Sequence, residues 1–182
     1  NYIIPSFDEY QSEYTPKSAR RLEFITGFTG SNGIAVITEQ DSLFFTDKRY
    51  EEQSKSEVSN DFKLFDLKDL SQTKFDGKIG YNPKLFSKKQ LTSLFPTSEL
   101  FAVKEDLVDL IWSDRPTRPS SEVYLYPIEY SGLGAEEKLV MLRDNFLSKA
   151  DHLLLTLPDN ICWLLNVRAS DIEFCPMMLC YA

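Results

Sequence analysis

The stretch from Glu23 to Tyr50, E-F-I-T-G-F-T-G-S-N-G-I-A-V-I-T-E-Q-D-S-L-F-F-T-D-K-R-Y, constrains the fold more than any other part of the chain. Two short runs of β-branched and aromatic residues, Ile34 to Thr38 and Leu43 to Thr46, flank Glu39, Gln40, Asp41 and Ser42, which predicts an antiparallel hairpin with both strands buried. Gly27, Gly30 and Gly33 precede it and mark a loop that needs positive φ or close backbone approach. They make no phosphate cradle, because the strand before and the helix after such a cradle are missing. Asp47, Lys48 and Arg49 follow the second strand where it gives way to a helix, so a charged group there is displayed.

Around the hairpin, strand and helix signals alternate. Tyr2 to Pro5 is strand-like, Ser6 to Arg21 is an extended polar loop, and a short helical turn covers Arg20 to Ile25. Asp47 to Ser56 is helix-compatible, with Thr46 or Asp47 as N-cap. Strands are expected at Phe62 to Leu67 and Lys78 to Tyr81, the latter after an Asp76-Gly77 turn. Ser87 and Gln90 form a capping box for a helix that Pro96 stops. Leu100 to Val103 is another strand, and Leu107, Leu110 and Ile111 give an apolar face to a helix ending near Trp112. The alternation predicts an α/β fold with a mixed sheet.

The run from Arg115 to Ser121, with two prolines among short polar residues, reads as a linker. The expected division is a first domain over 1–114, a linker over 115–121 and a second segment over 122–182. In the second segment Glu136 to Lys149 is an amphipathic helix with Leu139, Leu142, Phe146 and Ala150 on one face, and His152 to Leu157 is strand-like. This segment echoes the first. I-I-P-S-F-D-E resembles L-L-T-L-P-D-N, and F-I-T-G-F-T-G-S at Phe24 resembles W-L-L-N-V-R-A-S at Trp163. The echo suggests an internal duplication whose second copy is cut off at Ala182, in a chain that begins at Asn1 without an initiator.

Function classes can be narrowed from charge and residue counts. A net charge of −8 argues against nucleic acid as a partner. No apolar run is long enough for a membrane span, so the expected location is cytoplasmic. Cys162, Cys175 and Cys180 are an odd number and read as reduced thiols, with no spaced fourth ligand for zinc. A dinuclear hydrolase needs grouped carboxylates and imidazoles, but the chain has one histidine, His152, beside an apolar run. No nucleophile has a histidine partner, and no acid cluster of a nuclease is evident. The chain contains no complete active site.

Y-I-I-P-S with Q-S-E-Y, R-R-L-E-F-I-T-G-F-T-G-S-N-G, F-T-D-K-R-Y, L-V-D-L-I-W-S-D-R-P and L-L-N-V-R-A-S-D-I-E-F-C-P are collinear. Together they resemble the cytosolic three-domain Xaa-Pro aminopeptidases (aminopeptidase P) of the creatinase/prolidase superfamily. The resemblance implies a three-layer α/β/α domain of ribonuclease-H-like fold, followed by a truncated second copy. It also implies that the chemistry belongs to a C-terminal catalytic domain of pita-bread fold, absent from this chain, holding two divalent metal ions, manganese by expectation. The substrate would be a peptide with proline in second position. A stand-alone peptide-binding module that has lost the catalytic domain is the alternative, and the assembly state, a homodimer included, is open.

One residue is carried over by position. The family's T-D-G-R-Y is matched by Thr46 to Tyr50 with Lys48 in place of glycine, and its arginine is expected to contact substrate, which assigns that role to Arg49. A guanidinium suits it, because it donates parallel hydrogen bonds at fixed geometry. The alternative for Arg49 is a surface ion pair with Asp47 or Glu52. Asn166, Arg168 and Asp171 resemble the family's N-x-R-G-x-D, with Ala169 for glycine and Cys175 for asparagine, and Arg168 with Asp171 is expected to form a buried pair.

Overall fold

The hairpin is the centre of a six-stranded sheet. In the computed structural model, which describes residues 1–146 and 149–182, the strands are β1 (Tyr2–Pro5), β2 (Gly33–Ile37), β3 (Ser42–Thr46), β4 (Phe62–Asp66), β5 (Ile79–Tyr81) and β6 (Leu100–Ala102). Their order is β4-β3-β2-β1-β5-β6. β2 pairs antiparallel with both β1 and β3, whereas β3 with β4, β1 with β5 and β5 with β6 are parallel, so the sheet is mixed.

Side chains alternate across the sheet as the pleat requires. Tyr2, Ile4, Ala35 and Phe44 face one side, where they pack with Leu22, Phe28, Val58 and Val108. Ile3, Ile34, Val36 and Phe45 face the other, with Leu70, Ile79, Leu85 and Leu91. The first side is covered by α1 (Arg21–Thr26), α2 (Glu51–Glu57) and α4 (Leu107–Ile111). The second is covered by a 3-10 helix over Leu67–Gln72 and by α3 (Lys88–Leu94). Burial on both faces explains why the hairpin strands are apolar from Ile34 to Ile37 and from Leu43 to Phe45 and do not alternate with polar residues there.

Local signals set the helix ends. Ser87 Oγ accepts from Gln90 N at 3.2 Å and Gln90 Oε1 accepts from Ser87 N at 2.7 Å, which completes the predicted capping box. α1 ends at Gly27, whose φ of 82° is the left-handed conformation. A Cβ there would stand 2.7 Å from Glu57 O, so both backbone and neighbour call for glycine. Gly30 is needed for a different reason, since its φ is not positive. A Cβ would meet the Phe28 ring at 2.3 Å and the Tyr50 ring at 2.8 Å.

The chain divides into two units, Asn1–Thr117 and Arg118–Ala182. The second holds β7 (Tyr124–Leu125), α5 (Ile128–Ser131), α6 (Ala135–Asn145), α7 (Pro158–Leu165) and β8 (Val167–Arg168), with β7 and β8 antiparallel. Two expectations change here. α6 stops at Asn145, short of Lys149, and residues 147 and 148 of the predicted helix lie outside the described residues. Phe146 is exposed, Leu139 and Leu142 are half-buried, and the buried residue of α6 is Lys138. His152 to Leu157 forms no regular strand: among the described residues only Leu155 finds a ladder partner, exchanging two backbone hydrogen bonds with Ala182 at 2.6 and 3.1 Å.

Candidate functional site

The site begins where β3 leaves the sheet. Thr46 Oγ1 donates to Asn32 O at 2.6 Å, tying the end of the strand to the loop before β2. Asp47 then turns the chain into a 3-10 helix, Lys48–Tyr50, as its N-cap, and its Oδ1 accepts from Arg49 N at 2.9 Å. The same carboxylate takes the arginine side chain, with Nε on Oδ1 at 3.0 Å and Nη2 on Oδ2 at 2.8 Å. Asn32 Nδ2 adds a fourth bond, to Oδ2 at 2.6 Å. Asp47 is therefore saturated by donors from its own turn and from the preceding loop.

The electrostatics follow from that geometry. The Arg49 hydrogen bond, helped by Asn32 and by the Arg49 N–H, outweighs partial burial and lowers the Asp47 carboxyl to about 2. Reciprocally, Asp47 raises the Arg49 guanidinium. Arg49 keeps 67% of its side chain exposed against 26% for Asp47, so the pair sits at the surface with its carboxylate inward. The guanidinium also lies 5.4 Å from the centre of the Tyr50 ring. That ring is fixed in turn by a 2.7 Å bond between Tyr50 OH and Ser31 Oγ and by an edge contact with Phe28.

Lys48 takes up the place of the family's glycine without strain. It lies within the 3-10 helix and is not among the described non-glycine residues of positive φ, which are Gln11, Asn166 and Phe174. Beside the turn, at the ends of β3 and β4, is an open cleft of about 290 Å³ lined in part by Lys48, Glu51, Lys55, Phe65 and Asp66.

The second predicted pair is not formed. Asp171 accepts from Ser121 N at 2.9 Å, from Ser121 Oγ at 2.6 Å and from Leu179 N at 2.9 Å. Burial alone would raise its pKa, but these bonds outweigh it and the net shift is downward. Arg168 donates to Cys162 O at 3.1 Å and Val167 O at 2.8 Å, and its guanidinium lies 4.3 Å from the centre of the Tyr126 ring. With both groups satisfied separately, the motif organises the loop after α7 through two independent sets of bonds. Ala169 is fully buried and Cys175 forms an isolated bridge with Ile172.

Lys138, which the sequence did not single out, forms a cluster with Asn166. Lys138 is 2% exposed, and its Nζ donates to Trp163 O at 2.7 Å and Asn166 Oδ1 at 2.5 Å while lying 4.3 Å from the centre of the Trp163 ring. Burial first, then the Arg168 charge, lowers its pKa. His152 is exposed. Among the described residues no three His, Cys, Asp or Glu side chains come together as a metal site, and no helix is long and apolar enough to cross a membrane.

Comparison with known proteins gives one consistent neighbourhood. Two profiles described as the creatinase/prolidase N-terminal domain match residues 17–110 and 114–182. A probable Xaa-Pro aminopeptidase P of Ajellomyces dermatitidis is 35% identical over 198 residues, covering 100% of this chain and 32% of the relative. One from Laccaria bicolor is 35% identical over 203 residues, covering 100% and 31%. Among solved structures, an X-prolyl aminopeptidase from Caenorhabditis elegans, described as a cytosolic enzyme with a di-nuclear active site, superimposes with a TM-score of 0.89 at 31% identity. That superposition covers 99% of this chain and 32% of the other. The chain thus spans about a third of the length of the proteins it matches.

Proposed function

This chain belongs to the creatinase/prolidase N-terminal domain family, and on that premise we propose that it is the non-catalytic N-terminal region of a metal-dependent Xaa-Pro aminopeptidase. It shapes the substrate cleft of a C-terminal catalytic domain that releases the residue preceding proline. The observation that carries this reading is the coverage, since relatives bearing that activity in their names match the whole of this chain with only a third of their own length. The two divalent ions of such an enzyme, manganese in our reading, would be held outside these residues, because the described residues offer no ligand cluster that fits them. The enzyme would work in the cytoplasm, as the Caenorhabditis elegans relative is said to do.

Within this division of labour Arg49 is the residue that touches substrate. It is anchored at the end of a core strand, exposed, and permanently charged, so it can orient an extended peptide without taking part in bond breaking. The test has two arms. The 182-residue chain with manganese is expected to leave an Xaa-Pro peptide intact, and turnover above a metal-only blank overturns the reading. In the full-length enzyme, Arg49→Ala is expected to lower kcat/KM by roughly ten- to a hundredfold, about 1.5 to 3 kcal/mol, with the fold retained and only the small loss of stability that the Asp47 pair accounts for. An alanine variant of full activity removes Arg49 from the substrate site.

A further inference from the structure

An arginine side chain carries five N–H donors, and Asp47 engages two of them, Nε–H and one on Nη2. Those two form the lateral edge of the guanidinium. The adjoining, end-on edge, made by Nη1 and the second Nη2 hydrogen, has no acceptor among the described residues and belongs to a side chain two-thirds exposed. We propose that Asp47 is a positioning and specificity residue, which fixes Arg49 with its end-on edge outward and offsets over half of its pull on an anion, so that it reads a neutral backbone carbonyl as well as a free carboxylate or better. The proposal rests on the reading of Arg49 as a substrate contact.

Preorganisation is the first part of the argument. A lone exposed arginine loses much rotamer freedom when it binds a ligand, which weakens any contact it makes. Here that freedom is already given up. Asp47 is held by the Arg49 backbone N–H and by Asn32, so the carboxylate is a fixed point, and the guanidinium is fixed to it by two parallel bonds and flanked by the Tyr50 ring.

Charge is the second part. A carboxylate docked on the end-on edge would lie roughly 4 Å from the guanidinium carbon and roughly 7 Å from the Asp47 carboxylate, so at equal dielectric the repulsion cancels over half of the attraction. Glu13, whose charge also bears on Arg49, adds to the repulsion. A carbonyl oxygen has no net charge to repel and accepts the same hydrogen bonds. The pair therefore suits the middle of an extended peptide, and a C-terminal carboxylate gains little from it.

The experiment uses the full-length enzyme and tri- and tetrapeptides with proline second, each made with a C-terminal acid and a C-terminal amide. The wild type is expected to show kcat/KM for amides equal to or above that for acids. Asp47→Asn and Asp47→Ser both keep an N-cap oxygen, so folding is retained while Arg49 becomes an uncompensated cation. Each is expected to shift the ratio at least threefold toward acids and to raise KM for amides. Asn32→Ala, which removes one bond and no charge, is expected to leave the ratio unchanged. If Arg49→Gln leaves kcat/KM of the wild-type background untouched, the substrate role of Arg49 itself fails. If Arg49→Gln lowers it but neither Asp47 variant moves the acid-to-amide ratio, the specificity role of Asp47 is overturned while that of Arg49 stands.

Discussion

Gly27 and Asn166 occupy the same station in their two units: each ends a helix, α1 and α7 respectively, in the left-handed conformation, with φ of 82° and 50°. They are aligned by the echo of F-I-T-G in W-L-L-N, so the structure repeats at the backbone level what the sequence repeats only loosely. The chemistry of the two turns differs. Glycine is required where Glu57 O presses on the missing Cβ, and asparagine is used where its amide can bind Leu133 O and Lys138.

That difference gives a prediction for the glycine positions. Gly27→Ala meets both an unfavourable φ and a backbone oxygen at 2.7 Å that has no flexible end to yield. A loss of about 2 to 4 kcal/mol is expected. Gly77 also has positive φ, 74°, but open space around it, so Gly77→Ala should cost only about 1 kcal/mol. Urea denaturation of the two variants checks the ranking, and equal costs would show that the contact with Glu57 is irrelevant.

Asp47 gives a pH signature. Its folded pKa of about 2 lies below the ordinary 3.8, so its contribution is complete above about pH 4 and is lost as pH falls through about 2. The carboxylate is partly open to solvent, which reduces the effect to about 1 kcal/mol after screening. The unfolding free energy of wild type should therefore fall more steeply between pH 4 and 2 than that of Asp47→Asn. Parallel curves would mean that the Arg49 clamp does not persist in solution.

A buried ion cluster beneath α1 gives the third prediction. Arg21, 7% exposed at its side chain, binds Asp109 by Nε at 2.7 Å and Nη2 at 2.9 Å and lies 3.4 Å from Asp106, itself 3% exposed. Burial would lower the Arg21 pKa and raise that of Asp109, but their mutual bonds reverse both shifts. Arg21→Met leaves the buried Asp106 carboxylate without its cation, held only by Asn82 Nδ2 and by the Val108 and Asp109 N–H groups, and is expected to cost about 3 to 5 kcal/mol. Asp109 is 30% exposed and Arg115 also reaches it, so Asp109→Asn should cost about 1 kcal/mol. A chemical melt of Arg21→Met matching wild type would sink the account.

What the sequence made legible was local. The hairpin, the Ser87 capping box and the alternation of strands and helices rest on neighbours within a few positions, where propensity and hydrogen-bond geometry act directly. Contacts across longer separations were not readable in the same way. The sequence allowed Asp47 or Glu52 as the partner of Arg49, and the choice falls to Asp47 because Asn32, from the other side of the hairpin, holds that carboxylate in place. Arg168 and Asp171 looked like a pair from their spacing, yet Ser121 and Tyr126, far back in the chain, take them separately. Lys138 was invisible because a lysine in an acidic helix reads as solvated, and only the carbonyl and amide at the end of α7 make its burial tolerable.

The last prediction sets backbone strain against that lysine. Asn166→Gly removes the cost of holding a side chain at positive φ, which by itself would stabilise the turn by up to about 1 kcal/mol. It also removes the acceptor for Lys138 Nζ and the donor to Leu133 O, leaving a buried cation with Trp163 O and the indole face. An unsatisfied buried group costs about 1 to 3 kcal/mol, more when charged, so the net change is expected to be destabilising. Hydrogen exchange of the α7 amides provides the measurement, with faster exchange in Asn166→Gly and an intermediate rate in Asn166→Asp, which keeps the acceptor and loses the donor. Slower exchange in the glycine variant would mean that strain in the turn outweighs the Lys138 network.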